Sequence, residues 1–64
     1  MTATLTTRTG ETRTVATGDP LWCSLDNTRV RYVRTERDGM VVVASNETGR
    51  ELPDLRHPTQ VVAY

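Results

Sequence analysis

A tight turn between two β-rich segments constrains this chain more than any other feature. Asp38-Gly39 separates residues 28–37 from residues 40–45, and both segments are rich in residues that favour strands. An Asp-Gly pair in this setting is among the strongest hairpin signals, because a type I′ turn needs a positive φ at both central positions. The sequence therefore predicts a central β-hairpin that reverses at Asp38-Gly39.

A two-residue loop at this turn would fix the pairing of the hairpin. Counting outward from the loop places Thr35 opposite Val42 and Val33 opposite Ala44. Both faces of the hairpin then carry apolar residues, so the two strands are expected at the centre of a curved sheet or shared between two sheets.

Turn signals divide the rest of the chain into short β-prone segments. Gly18-Asp19-Pro20 precedes the apolar residues 21–25, and a second turn at residues 46–49 precedes another short strand. The prolines that bracket residues 53–58 exclude a long helix there, whereas a single 3₁₀ turn fits. No window shows the apolar spacing of an α-helix. We therefore predict an all-β chain of about five short antiparallel strands, with one 3₁₀ turn before the last strand at residues 59–64.

The N-terminal segment is open to two interpretations. Six of the 12 Thr residues lie within residues 1–12, and Thr is a β-branched residue that favours strands. Residues 1–15 could form a hairpin that turns at Gly10. They could equally form a flexible arm, since their only large apolar residues are Leu5 and Val15.

Length and composition limit the class of protein. The chain has 64 residues and 36% hydrophobic residues, which is room for one domain with a thin core. Eight Arg residues balance eight acidic residues, and this neutral total argues against non-specific attraction to phosphate. Lys, Ile and Phe are absent, which is typical of a GC-rich genome, so we expect a phage or actinobacterial origin. The N-terminus has no apolar run like a signal peptide, and no segment is long enough to cross a membrane. We expect a soluble, cytoplasmic protein without a membrane partner.

Three segments resemble parts of the SH3-like small β-barrels, which include the Tudor and KOW-type modules. Residues 18–22 are similar to the opening strand, residues 29–44 to the central hairpin, and residues 52–62 to the 3₁₀ turn and closing strand. The resemblance covers residues 18–64 of a single domain and implies a small SH3-like barrel. The aromatic cage of Tudor modules needs more rings than this chain has, so the resemblance implies a fold and transfers no functional residues.

Neither a catalytic site nor a metal site is expected. The only histidine, His57, lies in a Pro-flanked turn, and nothing in the sequence places Ser24, Ser45 or Cys23 beside it as a nucleophile. A zinc site needs three or four ligands, which one His and one Cys do not supply. We expect a protein that is not an enzyme and has no cofactor. Cys23 is expected to be buried, and Trp22 is expected in the core, with a half-exposed binding role as its alternative.

The sharpest functional signal is a cluster of arginines in the first strand of the hairpin. Residues 28–37 contain four Arg residues and one Glu. Alternation directs Arg29, Arg31 and Arg37 to one face and Arg34 to the other, unless a bulge shifts the register. The expected binding residues are Arg29, Arg31, Tyr32, Arg34, Arg37 and Trp22.

Three interpretations of this cluster remain. The arginines could pair with Glu36, Glu47 or Glu51 on a solvated strand, they could contact a protein, or they could contact nucleic acid. The expected function is that of a small adaptor, a regulator or an assembly component that binds a protein partner. A nucleic-acid-binding barrel is the alternative. A homo-oligomer is also conceivable, because Tyr64 and the Thr-rich N-terminal segment offer unpaired strand edges.

Overall fold

Six short strands in two antiparallel sheets make up the chain, which a computed structural model describes over all residues 1–64. The strands are β1 (Thr2–Thr6), β2 (Thr12–Ala16), β3 (Pro20–Cys23), β4 (Thr28–Thr35), β5 (Val41–Ser45) and β6 (Val61–Ala63). Strands β1 and β2 form one sheet, and the other has the order β5-β4-β3-β6. The only helical element is a 3₁₀ helix, Pro58–Gln60, directly before β6. The all-β prediction with one 3₁₀ turn before the last strand is thus confirmed, although the turn begins where residues 53–58 end. No helix is long and apolar enough to cross a membrane.

Of the two interpretations of the N-terminal segment, the structure has the hairpin. Ala3 pairs with Val15 and Leu5 pairs with Arg13, and Gly10 lies in the loop with a φ of 89°. Leu5 and Val15 are both buried. Because the two apolar side chains enter the core, the hairpin packs on the four-stranded sheet instead of extending from it.

The core is a cluster of ten buried residues to which every strand contributes: Leu5, Val15, Leu21, Cys23, Val30, Tyr32, Val41, Val43, Val61 and Ala63. Cys23 is buried, as expected. Tyr32 is also fully buried, and its hydroxyl is hydrogen-bonded to Thr35 Oγ1 at 2.9 Å. The prediction that Tyr32 belongs to a binding surface is therefore wrong, because its position in β4 alternates inward with Val30.

The central hairpin turns where the sequence indicates, but with a longer loop. Glu36 N donates to Met40 O at 2.8 Å, and Gly39 N donates to Glu36 O at 3.0 Å. Gly39 has a φ of 85° and Asp38 does not have a positive φ, so a three-residue loop ending in a left-handed glycine replaces the expected type I′ turn. Thr35 consequently pairs with Val41. The predicted register, with Thr35 opposite Val42, is wrong by one residue.

A bulge at Val33 changes the direction of the arginines in β4. Tyr32 pairs with Val43 and Arg34 pairs with Val42, so Val33 is the additional residue. Its carbonyl accepts a hydrogen bond from Thr17 Oγ1 at 2.7 Å. The bulge returns Arg34 to the face that carries Arg31, so the separation that strict alternation predicts does not occur and the bulged alternative holds.

The segment after β5 covers the outer edge of the four-stranded sheet. Isolated bridges join Ala44 to Glu51 and Val41 to Arg56. Arg56 is buried, and its Nη2 donates to Asp26 Oδ2 at 2.5 Å. This hydrogen bond raises the pKa of Arg56 against the opposing effect of burial. The ion pair ties residues 46–57 to the turn between β3 and β4.

Candidate binding face

The outer face of the four-stranded sheet brings arginines and aromatic rings together. Trp22 on β3 lies between Arg29 on β4 and Val62 on β6. The guanidinium carbon of Arg8 lies 5.3 Å from the centre of the Trp22 ring, and that of Arg29 lies 5.7 Å from the centre of the Tyr64 ring. Both distances are within the range of cation–π attraction. We call this surface the arginine–aromatic face, and its members are Arg8, Arg13, Trp22, Arg29, Arg31 and Tyr64.

Strand alternation explains why the rings are at the surface. Leu21 and Cys23 point into the core, so Trp22 between them points outward and is only partly buried. Tyr64 follows β6 and is 40% exposed. The expectation that Trp22 fills the core is wrong, because Tyr32 is the large aromatic residue there.

The arginines of the face lack carboxylate partners. The structure has three ion pairs, and they involve only Arg34 and Arg56. Arg31 Nη1 donates instead to Gly18 O at 2.8 Å, and Arg13 Nη1 donates to the carbonyl of Tyr64. These contacts with main-chain oxygens fix the side chains, and no carboxylate side chain pairs with either arginine.

Arg34 shares the sheet face but behaves differently. Its Nε donates to Glu36 Oε1 at 3.1 Å and its Nη1 donates to Glu51 Oε1 at 3.2 Å. The hydrogen bond to Glu36 and the charge of Glu51 raise the pKa of Arg34. The solvated-strand interpretation thus describes Arg34. Arg37 is exposed in the hairpin loop, away from the rings.

The predicted site and the observed face overlap in part. The structure brings Trp22, Arg29 and Arg31 together. Sequence reasoning missed Arg8, Arg13 and Tyr64 as binding residues, because their approach depends on contacts between the two ends of the chain. A parallel bridge between Thr7 and Ala63 sets the position of Arg8. Only Tyr64 had a local signal for its place on the face, because alternation along residues 61–64 directs its side chain to the same side as Val62.

An open groove adjoins Trp22 and Arg29. It measures about 460 Å³ and lies between the β3–β4 turn and the turn that follows β5. Ser45 Oγ shapes the second turn by accepting hydrogen bonds from Glu47 N at 3.2 Å and Thr48 N at 3.3 Å. The groove contains Val30 and Leu52 as well as polar side chains. It extends the face with a concave surface that is partly apolar.

His57 has a structural position in the 3₁₀ helix. Its ring Nδ1 accepts a hydrogen bond from Thr59 N at 3.3 Å, and its backbone N–H donates to Gln60 Oε1 at 2.8 Å. These contacts form a capping box at the start of the helix. No group of three or more His, Cys, Asp and Glu side chains is placed to hold a metal ion.

The fold and the site together define an all-β domain with an exposed arginine–aromatic face on its larger sheet. Comparison of the chain with protein-family models, curated proteins and solved structures found no significant match. The functional proposal therefore depends on the geometry and charge of the face itself.

Proposed function

We propose that this protein is a small non-enzymatic binding module, an adaptor that recruits an acidic protein partner through the arginine–aromatic face. The observation that carries this proposal is the juxtaposition of partly exposed aromatic rings with arginines that no carboxylate side chain pairs with. Trp, Tyr and Arg are the residue types that contribute most to protein interfaces. Guanidinium groups without a carboxylate side-chain partner also favour an anionic surface opposite them.

The make-up of the face favours a protein over a nucleic acid. Pro20 and Val62 lie among the rings, so the centre of the face is apolar with arginines around it, as in protein interfaces. Glu11 lines the same cleft as Arg8 and Arg13, and Glu47 lines the same groove as Arg29. These carboxylates would repel a continuous phosphate backbone, whereas a protein surface of mixed charge accommodates them.

Single-stranded nucleic acid is the second candidate. The observation in its favour is that aromatic rings with arginines over them also form the platforms on which bases stack and phosphates bind. The resemblance to SH3-like barrels is compatible with both partners. The single, buried cysteine fits a reducing compartment such as the cytoplasm.

Affinity capture from the native host tests the proposal. The bait is the wild-type chain, and the test variant is the double substitution Arg8→Glu with Arg29→Glu. The control is Arg37→Glu, which reverses the charge at one position in the exposed loop outside the face. We expect one stoichiometric protein partner with the wild type and the control, and its loss with the double variant.

Two results would contradict this function. Retention of the partner by the double variant would show that another surface binds it. Tight, salt-sensitive binding of a labelled 20-nucleotide single strand, lost in the double variant and accompanied by no protein partner, would favour the nucleic-acid alternative.

A further inference from the structure

Strand β2 has an open edge. It pairs only with β1. Thr7 N donates to Glu11 O at one end of the hairpin, and Thr17 N donates to Met1 O at the other. Antiparallel pairs alternate, so the hydrogen-bonded pairs between these ends are Leu5–Arg13 and Ala3–Val15. The backbone groups of Thr12, Thr14 and Ala16 therefore point away from β1.

Part of this edge is closed by the chain itself. Ala16 N donates to Asp19 Oδ2 at 2.8 Å, and Asp19 N donates to Ala16 O at 2.9 Å. Thr12 and Thr14 have no such partners, and both residues are exposed. Each therefore presents a free N–H and a free C=O to solvent, in the geometry that receives an additional strand.

The open edge is continuous with the arginine–aromatic face. Arg13 lies between the two threonines and belongs to that face. A cleft of about 220 Å³ joins Arg13 to Pro20 and Tyr64. The carboxylate of Asp19, which also lines the cleft, is engaged with Ala16 N, and no Asp or Glu side chain pairs with Arg13. A strand added to β2 would thus meet, at its centre, an arginine that no carboxylate side chain pairs with.

We infer that the partner contributes an extended acidic segment that adds to the edge of β2, with a carboxylate opposite Arg13. This inference rests on the proposed function and names the recognition mode of its face. The backbone groups of Thr12 and Thr14 bind the main chain of the segment, as in other cases of strand addition. Arg13 lies at a position without ladder hydrogen bonds to the added strand, where opposite side chains approach most closely.

A second copy of this chain is the poorer occupant of the edge. A symmetric β2–β2 pair that uses the free groups of Thr12 and Thr14 must be centred on Arg13. It would place two Arg13 side chains directly opposite each other, and like charges in that position are destabilising. A pair centred on Thr14 would need the backbone groups of Ala16, which Asp19 already occupies.

Backbone methylation at one position tests the inference. A chain of 64 residues can be assembled by chemical synthesis, with N-methylthreonine at Thr14. The methyl group removes the outward N–H and obstructs an incoming strand, and no internal hydrogen bond of the hairpin is lost. The control Thr14→Val keeps the N–H and changes only the side chain. Dispersed amide NMR spectra establish that both variants are folded.

The probe is a fluorescein-labelled heptapeptide, Thr-Val-Thr-Glu-Thr-Val-Thr, whose central Glu can lie opposite Arg13. A second peptide with Lys in place of Glu is the charge control. We expect anisotropy titrations to show binding of the Glu peptide to the wild type and to Thr14→Val. Binding to the N-methyl variant and binding of the Lys peptide should each be about tenfold weaker or lost. The amide protons of Thr12 and Thr14 should become protected from exchange in the wild-type complex.

Equal affinity of the N-methyl variant and the wild type, or failure of the Glu peptide to bind the wild type, overturns the inference. A doubling of mass by light scattering that N-methylation abolishes also overturns it, because the occupant would then be a second copy. The proposed function is judged separately by partner capture with Arg8→Glu and Arg29→Glu. The double variant could lose the partner while the N-methyl variant binds the Glu peptide as tightly as the wild type. That combination would support the proposed function and exclude strand addition.

Discussion

Arginine side chains in this protein have two opposite roles, set by their surroundings. Those of the arginine–aromatic face have no carboxylate side-chain partner, whereas Arg56 is the one charged side chain in the interior. Its Nη1 donates to the carbonyl of Asp54, its Nη2 binds Asp26, and its Nε has no partner. A buried cation is tolerated only while its counter-charge is present.

The raised pKa of Arg56 determines how its contribution to stability depends on pH. The pKa is higher in the folded chain than in the unfolded chain, mainly because Asp26 accepts its hydrogen bond. The protonated form is therefore favoured by folding. That contribution is complete at every pH below the ordinary arginine pKa and is lost only at more alkaline pH. Titration of Arg56 itself will not change the stability near neutral pH.

Removal of the counter-charge of Arg56 should destabilise the fold. Asp26→Asn leaves Arg56 buried and charged, so we expect the free energy of unfolding to fall by about 3 kcal/mol, the lower end for a broken buried pair. The lower end applies because the Asp26 side chain is still 35% exposed. Urea denaturation measures the change. Asp54→Asn, which removes an exposed carboxylate without an ion pair, should stay within about 0.5 kcal/mol of the wild type. Equal stability of Asp26→Asn and the wild type would contradict this role.

Among the elements, the 3₁₀ helix is held by the residue that precedes it. The ring of His57 accepts the free N–H of Thr59, and the helix places β6 against β3. Ser24 adds a link, because its N–H donates to Gln60 O at 2.8 Å. The helix therefore aligns the strand that leads to Tyr64 on the arginine–aromatic face.

Loss of the cap should lower thermal stability. His57→Ala removes the side-chain acceptor, and we expect a cost of about 1 kcal/mol, which corresponds to a fall in Tm of about 4–8 °C. His57→Asn supplies an equivalent acceptor and should recover most of the loss. Thermal melting by circular dichroism compares the two variants. Equal Tm values for the His57→Ala and His57→Asn variants would show that the side-chain cap does not contribute to stability.

At the level of elements, the sequence predicts where strands and turns lie better than it predicts which residues pair between strands. Asp38-Gly39 correctly located the central hairpin, because glycine after a polar residue is a local turn signal. The register was wrong because the choice between a two-residue and a three-residue loop depends on φ at Asp38, and the bulge at Val33 depends on the distant Thr17. The bulge decides that Arg34 points outward, whereas Tyr32 is buried because it alternates inward with Val30. The arginine–aromatic face was also only partly predictable, because Arg8 and Tyr64 reach it through contacts between the two ends of the chain.

For the molecule as a whole, the N-terminal hairpin completes the core. Leu5 and Val15 belong to the core cluster, and Ala3 packs against it. A chain of this size has little stability in reserve, because small domains bury a limited fraction of their surface. The hairpin also carries Arg8, Arg13 and the open strand edge, so stability and the proposed binding surface depend on the same element.

Truncation of one side chain in the hairpin tests this dependence. Leu5→Ala should lower the free energy of unfolding by about 2–5 kcal/mol, as for other buried leucines, and we expect this to unfold much of the population at 37 °C. The adjacent Thr4→Ala alters an exposed position in the same strand and should cost less than about 0.5 kcal/mol. Urea titration with a backbone probe measures both. A cost below 1 kcal/mol for Leu5→Ala would mean that the four-stranded sheet is stable without the hairpin.

The stacking of Arg8 on Trp22 has a practical consequence. Trp22 is the only indole in the chain, and the guanidinium above it belongs to the tip of the N-terminal hairpin. Its emission spectrum therefore reports whether the hairpin tip is seated on the larger sheet. Local opening of the tip would change the tryptophan fluorescence before the backbone melts, which gives this molecule an intrinsic optical sensor without any added label.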